Sequence, residues 1–455
     1  MNFELKGEVV QNITISEIMN GPWRERAIYT AEERGIPSIA DGLKPVQRYL
    51  ICKALKVAKT KFEKVATIST IATEGYHHSE ASAAAALIGM AADFSNNLPV
   101  FEGDGNFGNV LDPAAGAPRY IYARLAGYFD ALYKDMDLCP KHDDPDHIPP
   151  KYYLPIIPMV LVNGIKGIAT GYSTDIPPHC PLSIISWLVN RAKGKKCANI
   201  MPKYYKFSGT VTAENVYYGI SGVYETPSPI KIRIKELPVG YTCASYNAHL
   251  KKLLDKGTIV DYENNSRMNK FDYVVTLKRG TRWNDSQIRK NLKLDTTHTW
   301  NLTTVSIDGK IQEWDKLTGI NDIMEAFYQF RLPYVAKRIE NIINDLQEKQ
   351  QYLIALERFC NDVINEVFSF KNISEETFKN VLLTNYGVPE GRISQVINMP
   401  VRMFTTQMLE KLKEDLDKTE KSLHYYLHET TPEQEYINDL TELKNAIIAY
   451  EKENK

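Results

Sequence analysis

The chemistry available to this chain begins with a tyrosine among cations. There are 27 tyrosines, so composition cannot choose one, but local chemistry can. A tyrosine nucleophile must shed a proton whose ordinary pKa is about 10, and bringing that toward 7 takes about 4 kcal/mol of help from cations or a base. Tyr120 has Arg119 beside it and Arg124 four residues on. Upstream lie the pair His77 and His78, and further cations at Arg34, Lys44 and Arg48. Arginine also suits a phosphate electrophile, because its planar fork pairs two oxygens at once. Arg-Tyr neighbours serve equally well as surface or packing features, so the residues alone leave both readings open.

Three other signals carry less. The run KHDDPDH (141–147) has metal-ligand residue types, but its proline and adjacent acids suit a solvated loop, and no metal ligand is assigned. KDMDL (134–138) contains a DxD without an upstream EGDSA-like strand, and EGDGN (102–106) is not one. No ATP-binding glycine motif is present. The six cysteines are scattered with no CxxC, as expected of thiols in a reducing compartment. A net charge of −1 excludes a polycation but not a basic face balanced elsewhere. No apolar run reaches the roughly 18 residues of a membrane span, and the N-terminus lacks a signal-peptide layout. The expected location is cytoplasmic.

The elements that must position these residues follow from periodicity. A chain of 455 residues can bury several cores, and two to four domains are expected. Pro45 to about Lys61 reads as a helix with proline in its first turn. Its stretch is locally basic, with Lys44, Arg48, Lys53, Lys56, Lys59, Lys61 and Lys64 against Glu63. The alanine-rich residues 81–94 read as a second helix. NGIKGIATGYS (163–173) is too glycine-rich for a helix and reads as a tight hairpin. Ile230, Ile232 and Ile234 alternate with Lys231, Arg233 and Lys235 as a strand does. In the last third, Ile339, Ile342, Leu346, Leu353 and Leu356 form one stripe, and Leu409, Leu412, Leu416, Thr419 and Leu423 form another. Together they read as an antiparallel helical hairpin, a plain bundle being the alternative. Its first helix is expected over 336–368, about 48 Å at 1.5 Å per residue.

Several segments in order resemble one family. GIPSIADGLKPVQR (35–48), EGYHHSEAS (74–82), GNFG (105–108), APRYIYARL (117–125), IPMVLVNGIKGIATGYSTDIPPH (157–179), IKELPV (234–239), EAFYQFRLPY (325–334) and INMPVRMFT (397–405) are similar to segments of type IIA DNA topoisomerases. The likeness extends to both gyrase A subunits and the eukaryotic enzymes. It is collinear over more than nine-tenths of the chain, and the short separate layout most resembles the cleavage subunit of T-even-type bacteriophage enzymes. For a phage-encoded chain, the cytoplasm would be that of a bacterial host.

The resemblance implies an α+β multidomain fold. It comprises an N-terminal arm (1–28), a winged-helix, CAP-like domain with the tyrosine (29–152), an α/β tower (153–335), and a long antiparallel coiled coil with a dimer-forming C-terminal globule (336–455). It also implies roles. Tyr120 would attack a backbone phosphate and form a 5′-phosphotyrosine link, assisted by Arg119, His77 and Arg34. Lys44, Arg48, His78 and Arg124 would hold DNA, and Ile168 would wedge between base pairs and bend the duplex. A core-packed hairpin isoleucine is the alternative for Ile168. Two departures stand out: Tyr49 where the families carry a second basic residue, and Ser79 in place of a glycine. Magnesium and ATP would be bound by a partner ATPase/toprim large subunit. The partners would be that subunit, double-stranded DNA and a second copy of the chain. With no DNA-wrapping C-terminal domain, relaxation of supercoils is expected. The rivals are a catalytically silent DNA-bending protein on the same scaffold, and a tyrosine recombinase, whose nucleophile would lie near the C-terminus.

Overall fold

The structure is a computed structural model that describes residues 14–74, 79–213, 217–370, 373–400 and 403–453. The chain divides into two compact units. One holds the chain up to Phe330 together with Asp439 onward, and the other holds Arg331 to Asn438.

The first unit opens with helical turns α1 (Ile15–Ile18) and α2 (Arg24–Thr30), continued by a wide turn over Ala31–Gly35. Three helices follow: α3 (Pro45–Val57), α4 (Val65–Ala72) and α5 (Glu80–Ala91). Pro45 opens α3, where its missing N–H would have no helical partner anyway. Three of the seven cations in the basic stretch pair with acids outside it. Arg48 pairs with Asp41, Lys53 with Glu74 and Lys59 with Asp130. Strands β1 (Glu63–Lys64), β2 (Phe101–Asp104) and β3 (Tyr122–Leu125) form an antiparallel sheet in the order β1-β3-β2.

Two short helices, α6 (Phe129–Leu132) and α7 (Met159–Val162), precede the hairpin of β4 (Ile165–Ile168) and β5 (Ser173–Ile176), and α8 (Pro181–Ala192) comes after it. The apolar run 154–162 is buried around α7 rather than forming a long element. Strands β6 (Thr210–Ala213), β7 (Tyr217–Ser221), β8 (Val223–Ser228) and β9 (Lys231–Glu236) lead to α9 (Cys243–Asp255). Then come β10 (Asp261–Asn264), β11 (Tyr273–Thr276), α10 (Asp285–Asn291), β12 (Asp295–Thr299), β13 (Thr303–Val305) and β14 (Ile311–Glu313). The expected alternation holds in β9: Ile232 and Ile234 are buried and pack with Tyr246, Leu250 and Tyr273 in one core.

Helix α11 (Gly319–Ile364) runs through Pro333, so it starts well before the expected residue 336. Its apolar face already exists upstream, since Ile323, Met324 and Phe327 are fully buried. The second unit contains α12 (Glu375–Val381), α13 (Ile393–Ile397) and α14 (Thr406–His424). Gln350 bonds Glu420 and Lys413 pairs with Glu357, so partners rise along α11 as they fall along α14. The two helices therefore pair antiparallel. Leu353, Leu356 and Leu412 of the expected stripes share a core with Phe359 and Phe378.

Helix α15 (Pro432–Glu453) brings the chain back to the first unit. Lys134 bonds Asp439 at 2.8 Å and Glu442 at 2.6 Å, and Tyr450 meets Tyr128 edge to face at 5.0 Å.

Candidate functional site

Tyr120 stands on a turn between the glycine-rich loop 103–116 and β3, with 68% of its surface exposed. The backbone on both sides is pinned to the start of α4. Val65 N–H donates to the Ile121 carbonyl at 3.0 Å, and Ala66 N–H donates to the Pro118 carbonyl at 3.1 Å. These are first-turn donors of a helix, which have no partner within it, so the turn satisfies them and is fixed in return. Ile121, 2% exposed, is the plug beneath the tyrosine. Cβ atoms placed on Gly105 and Gly116 would each lie 3.1 Å from its Cγ2, tighter than an ordinary contact, so a side chain at either position would press on Ile121. The guanidinium of Arg119 lies over the Tyr120 ring, 4.8 Å from its centroid, and is exposed. A phenol and a cation are thus presented to solvent on a backbone that cannot drift.

The other expected cations divide into two groups. Arg34 is placed at the end of the 31–35 turn, its guanidinium 5.5 Å from the Tyr29 ring centroid. Lys44 is half-buried and donates to the Lys166 carbonyl at 2.9 Å; burial pulls its ammonium below the usual lysine range. Arg48, by contrast, forks onto the fully buried Asp41 at 2.7 and 3.0 Å and also donates to the Leu43 carbonyl. Arg124 lies across from Glu102 in the β2–β3 pair, bonds it at 2.9 Å and covers the Phe62 ring. Both guanidiniums have carboxylate partners within the chain, so each also ties its own segment to the fold. Asp41, which also accepts from Leu43 N–H and Tyr153 N–H, is the residue that local sequence pattern misses. Tyr49 is fully buried.

His77 and His78 lie outside the described residues. Ser79, immediately after them, caps α5 by accepting from Ser82 N–H at 3.3 Å, a side-chain cap that glycine cannot make.

The 163–173 segment is the hairpin expected of it, with Ile168 paired to Ser173 at the last rung before the loop. Ile168 is 89% exposed, which removes the core-packed alternative. The hairpin is seated from two sides. Asp175 N–H donates to the Asn301 carbonyl at 2.9 Å on one side, and Thr30 bonds Thr170 at 3.0 Å on the other. Just beyond β5, His179 is fully buried and held neutral, its pKa pushed down to about 4 by desolvation.

In the KHDDPDH loop, Asp143 pairs with Lys151, and the stacked rings of His142 and His147 lie 4.0 Å apart. Among the described residues no three His, Cys, Asp or Glu side chains come together as a metal-holding group. The glycine-rich stretch 103–108 runs into loop rather than into a helix start that could cradle a triphosphate. Among the described residues no helix is long and apolar enough to cross a membrane.

Over residues 34–444 the chain matches the family described as the A subunit of DNA gyrase/topoisomerase IV. It is 33% identical to the DNA topoisomerase medium subunit of Enterobacteria phage T4, over 96% of this chain and 100% of that protein. With the mitochondrial DNA topoisomerase 2 of Dictyostelium discoideum it shares 29% identity, over 98% of this chain but 36% of that one. With human DNA topoisomerase 2-alpha the figures are 30%, 83% and 26%. The chain therefore spans all of the phage protein but only about a third or less of these eukaryotic relatives. A crystal structure of the Plasmodium falciparum topoisomerase II DNA-binding, cleavage and re-ligation domain superposes with a TM-score of 0.82 at 25% identity, covering 95% of this chain and 64% of that one. The chain belongs to the family of DNA gyrase and topoisomerase IV A subunits.

Proposed function

We propose that this chain is the DNA-cleaving and resealing subunit of an ATP-dependent type II topoisomerase, with Tyr120 as nucleophile. The observation that carries the assignment of the nucleophile is the Tyr120 turn: an exposed phenol beneath an exposed arginine, on backbone bonded to a helix start on both sides. The phenolic oxygen attacks the scissile phosphorus and loses its proton. A phosphorus–tyrosine bond forms, the bond to the 3′ oxygen breaks, and that oxygen takes up a proton to leave as a hydroxyl. The reverse step reseals the strand. One phosphodiester replaces another, so resealing needs no outside energy.

Arg119 stabilises the charge on the phosphate in this transfer, and His77 assists the phosphate or the leaving oxygen. Arg34 and Lys44 hold the backbone, and His78 contacts DNA. Ile168 enters the base stack and bends the duplex, trading a few kcal/mol of unstacking for added contact. Residues 29–152 serve as the winged-helix tyrosine domain, following the arm 1–28. Residues 153–335 serve as the tower, and 336–455 as the coiled coil and dimer-forming gate. The antiparallel pairing of α11 with α14 supports the last of these. Two copies cut the two strands of one duplex and pass a second duplex through. Magnesium and ATP are bound by a partner large subunit, and the expected product is relaxed DNA.

Covalent trapping on supercoiled plasmid tests this reading. The chain is mixed with its ATPase/toprim partner, magnesium and ATP, quenched with detergent and digested. Double-strand breaks carrying protein on their 5′ ends, lost in Tyr120→Phe, are expected. Intact plasmid beside an active partner would reduce the chain to a DNA-bending scaffold, and breaks surviving Tyr120→Phe would move the nucleophile elsewhere.

A further inference from the structure

The glycine-rich loop that leads to Tyr120 is also bonded to the open start of a second helix, α9. Cys243, the first residue of α9, donates its N–H to the Leu111 carbonyl at 2.9 Å. Like Val65 and Ala66 at the start of α4, it is a first-turn donor with no partner in its own helix. The half-buried side chains of Val110 and Leu111 pack on the core that holds Ile232 and Ile234 of β9, Leu250 of α9 and Tyr273 of β11. They are the two large apolar residues of an otherwise small or polar stretch, GNVLDPAAGA (108–117). The segment that ends in the tyrosine turn is therefore held between two helix starts, one beside Tyr120 and one on the core under α9.

Between those anchors the loop is tied to itself. Asn109 Oδ1 accepts from Leu111 N–H at 2.9 Å and from Asp112 N–H at 3.1 Å, and Asn109 N–H donates to the Asp112 carbonyl at 2.8 Å. A Cβ on Gly108, whose φ is +81°, would stand 2.6 Å from the Pro113 carbonyl oxygen, so the chain crosses itself there with only the room glycine leaves. Gly116 N–H donates to the Asn106 carbonyl at 2.8 Å, and Tyr120 N–H closes the turn onto the Ala117 carbonyl at 2.9 Å. No long stretch of unbonded chain separates Leu111 from Tyr120.

We infer that Leu111 is a positioning residue for the strand-cleaving tyrosine. Seated on the core of β9, α9 and β11, it fixes through the 109–116 loop the place at which the Tyr120 phenol meets phosphorus, while touching no reacting atom itself. This inference rests on the reading of Tyr120 as nucleophile, and adds that the core under α9 sets the aim of that nucleophile. The physical reason is stiffness. Close-packed interiors transmit a displacement instead of absorbing it, and misplacing a reacting group by about 1 Å can lower its rate about a hundredfold.

The test uses the full chain with its partner subunit, magnesium and a linear duplex. Leu111→Ala empties the seat, Leu111→Met refills it, and Leu250→Ala damages the same core from within α9. Single-turnover formation of trapped covalent complex gives the cleavage rate, its dependence on duplex concentration gives the affinity, and a urea midpoint gives the stability. For Leu111→Ala the rate is expected to fall about tenfold or more at unchanged duplex affinity, and Leu111→Met is expected to recover most of it. Leu250→Ala, a fully buried position, is expected to lose at least as much stability and still cleave at close to the native rate. An equal loss of rate in Leu250→Ala would reduce Leu111 to one more core residue and overturn the inference. A native rate in Leu111→Ala, or a loss confined to affinity, would overturn it too. Should either alanine variant fail to fold, Val110→Ala and Ile288→Val, milder changes at the loop and in the core, carry the same comparison. No covalent complex from the native chain, or complex surviving Tyr120→Phe, would instead reject the underlying reading.

Discussion

The Tyr120 turn and the Ile168 hairpin both lift one large side chain into solvent, and they are stiffened in different ways. The turn is held by hydrogen bonds into the open start of α4 and by the Ile121 plug beneath it. The hairpin is held by close backbone packing at Gly35 and Gly167, by ladder pairing, and by a lysine bonded to its first strand. A nucleophile has to be aimed, and directional bonds aim well. A wedge has to resist force from a stacked duplex, and close packing resists force well. Each exposed residue is therefore nearly free of stability cost, and the cost falls on its support.

That contrast can be broken at the supports and at the tips. The largest loss is expected from Arg48→Met, which strands the buried Asp41 carboxylate under the 41–44 loop that carries Lys44. Removing one partner of a buried pair costs about 3–5 kcal/mol, to be read as a lower urea midpoint. Next comes Ile121→Ala, which empties the plug under the tyrosine turn. About 2–5 kcal/mol of stability should go, and trapped covalent complex should fall with it although Tyr120 is untouched. Ile168→Ala closes the series with a change in stability within about 0.5 kcal/mol, because the side chain is solvated, while duplex bending is lost. A large destabilisation by Ile168→Ala, or none by Ile121→Ala, would erase the distinction between tip and support.

Much of this is legible in local patterns. The alternation around Ile232 and Ile234, the proline-led α3, the glycine-rich hairpin and the two leucine stripes each rest on periods of a few residues. The exposed Tyr120 and Ile168 also suit the motifs that contain them. What local pattern does not carry is charge pairing. Arg48 and Arg124 look alike as cations beside a motif, yet Asp41 and Glu102 neutralise them from 7 and 22 residues away. The start of α11 differs in the opposite sense, since the helix runs through Pro333 with an apolar face already in place upstream of the expected residue 336. The Gly35–Gly167 contact joins positions remote in sequence, and only the tertiary structure brings them together.

The return of α15 has a consequence for the order in which the molecule is made. Lys134 and Tyr128 belong to the tyrosine-bearing unit, yet their partners Asp439, Glu442 and Tyr450 lie beyond the whole helical unit Arg331–Asn438. At about 5–20 residues per second, that intervening unit takes roughly 5–22 s to be synthesised. Throughout that interval the unit carrying the proposed nucleophile lacks its returning helix. The unit that holds Tyr120 is thus completed only after the proposed gate has been synthesised, so a chain interrupted early carries the tyrosine without its finished support.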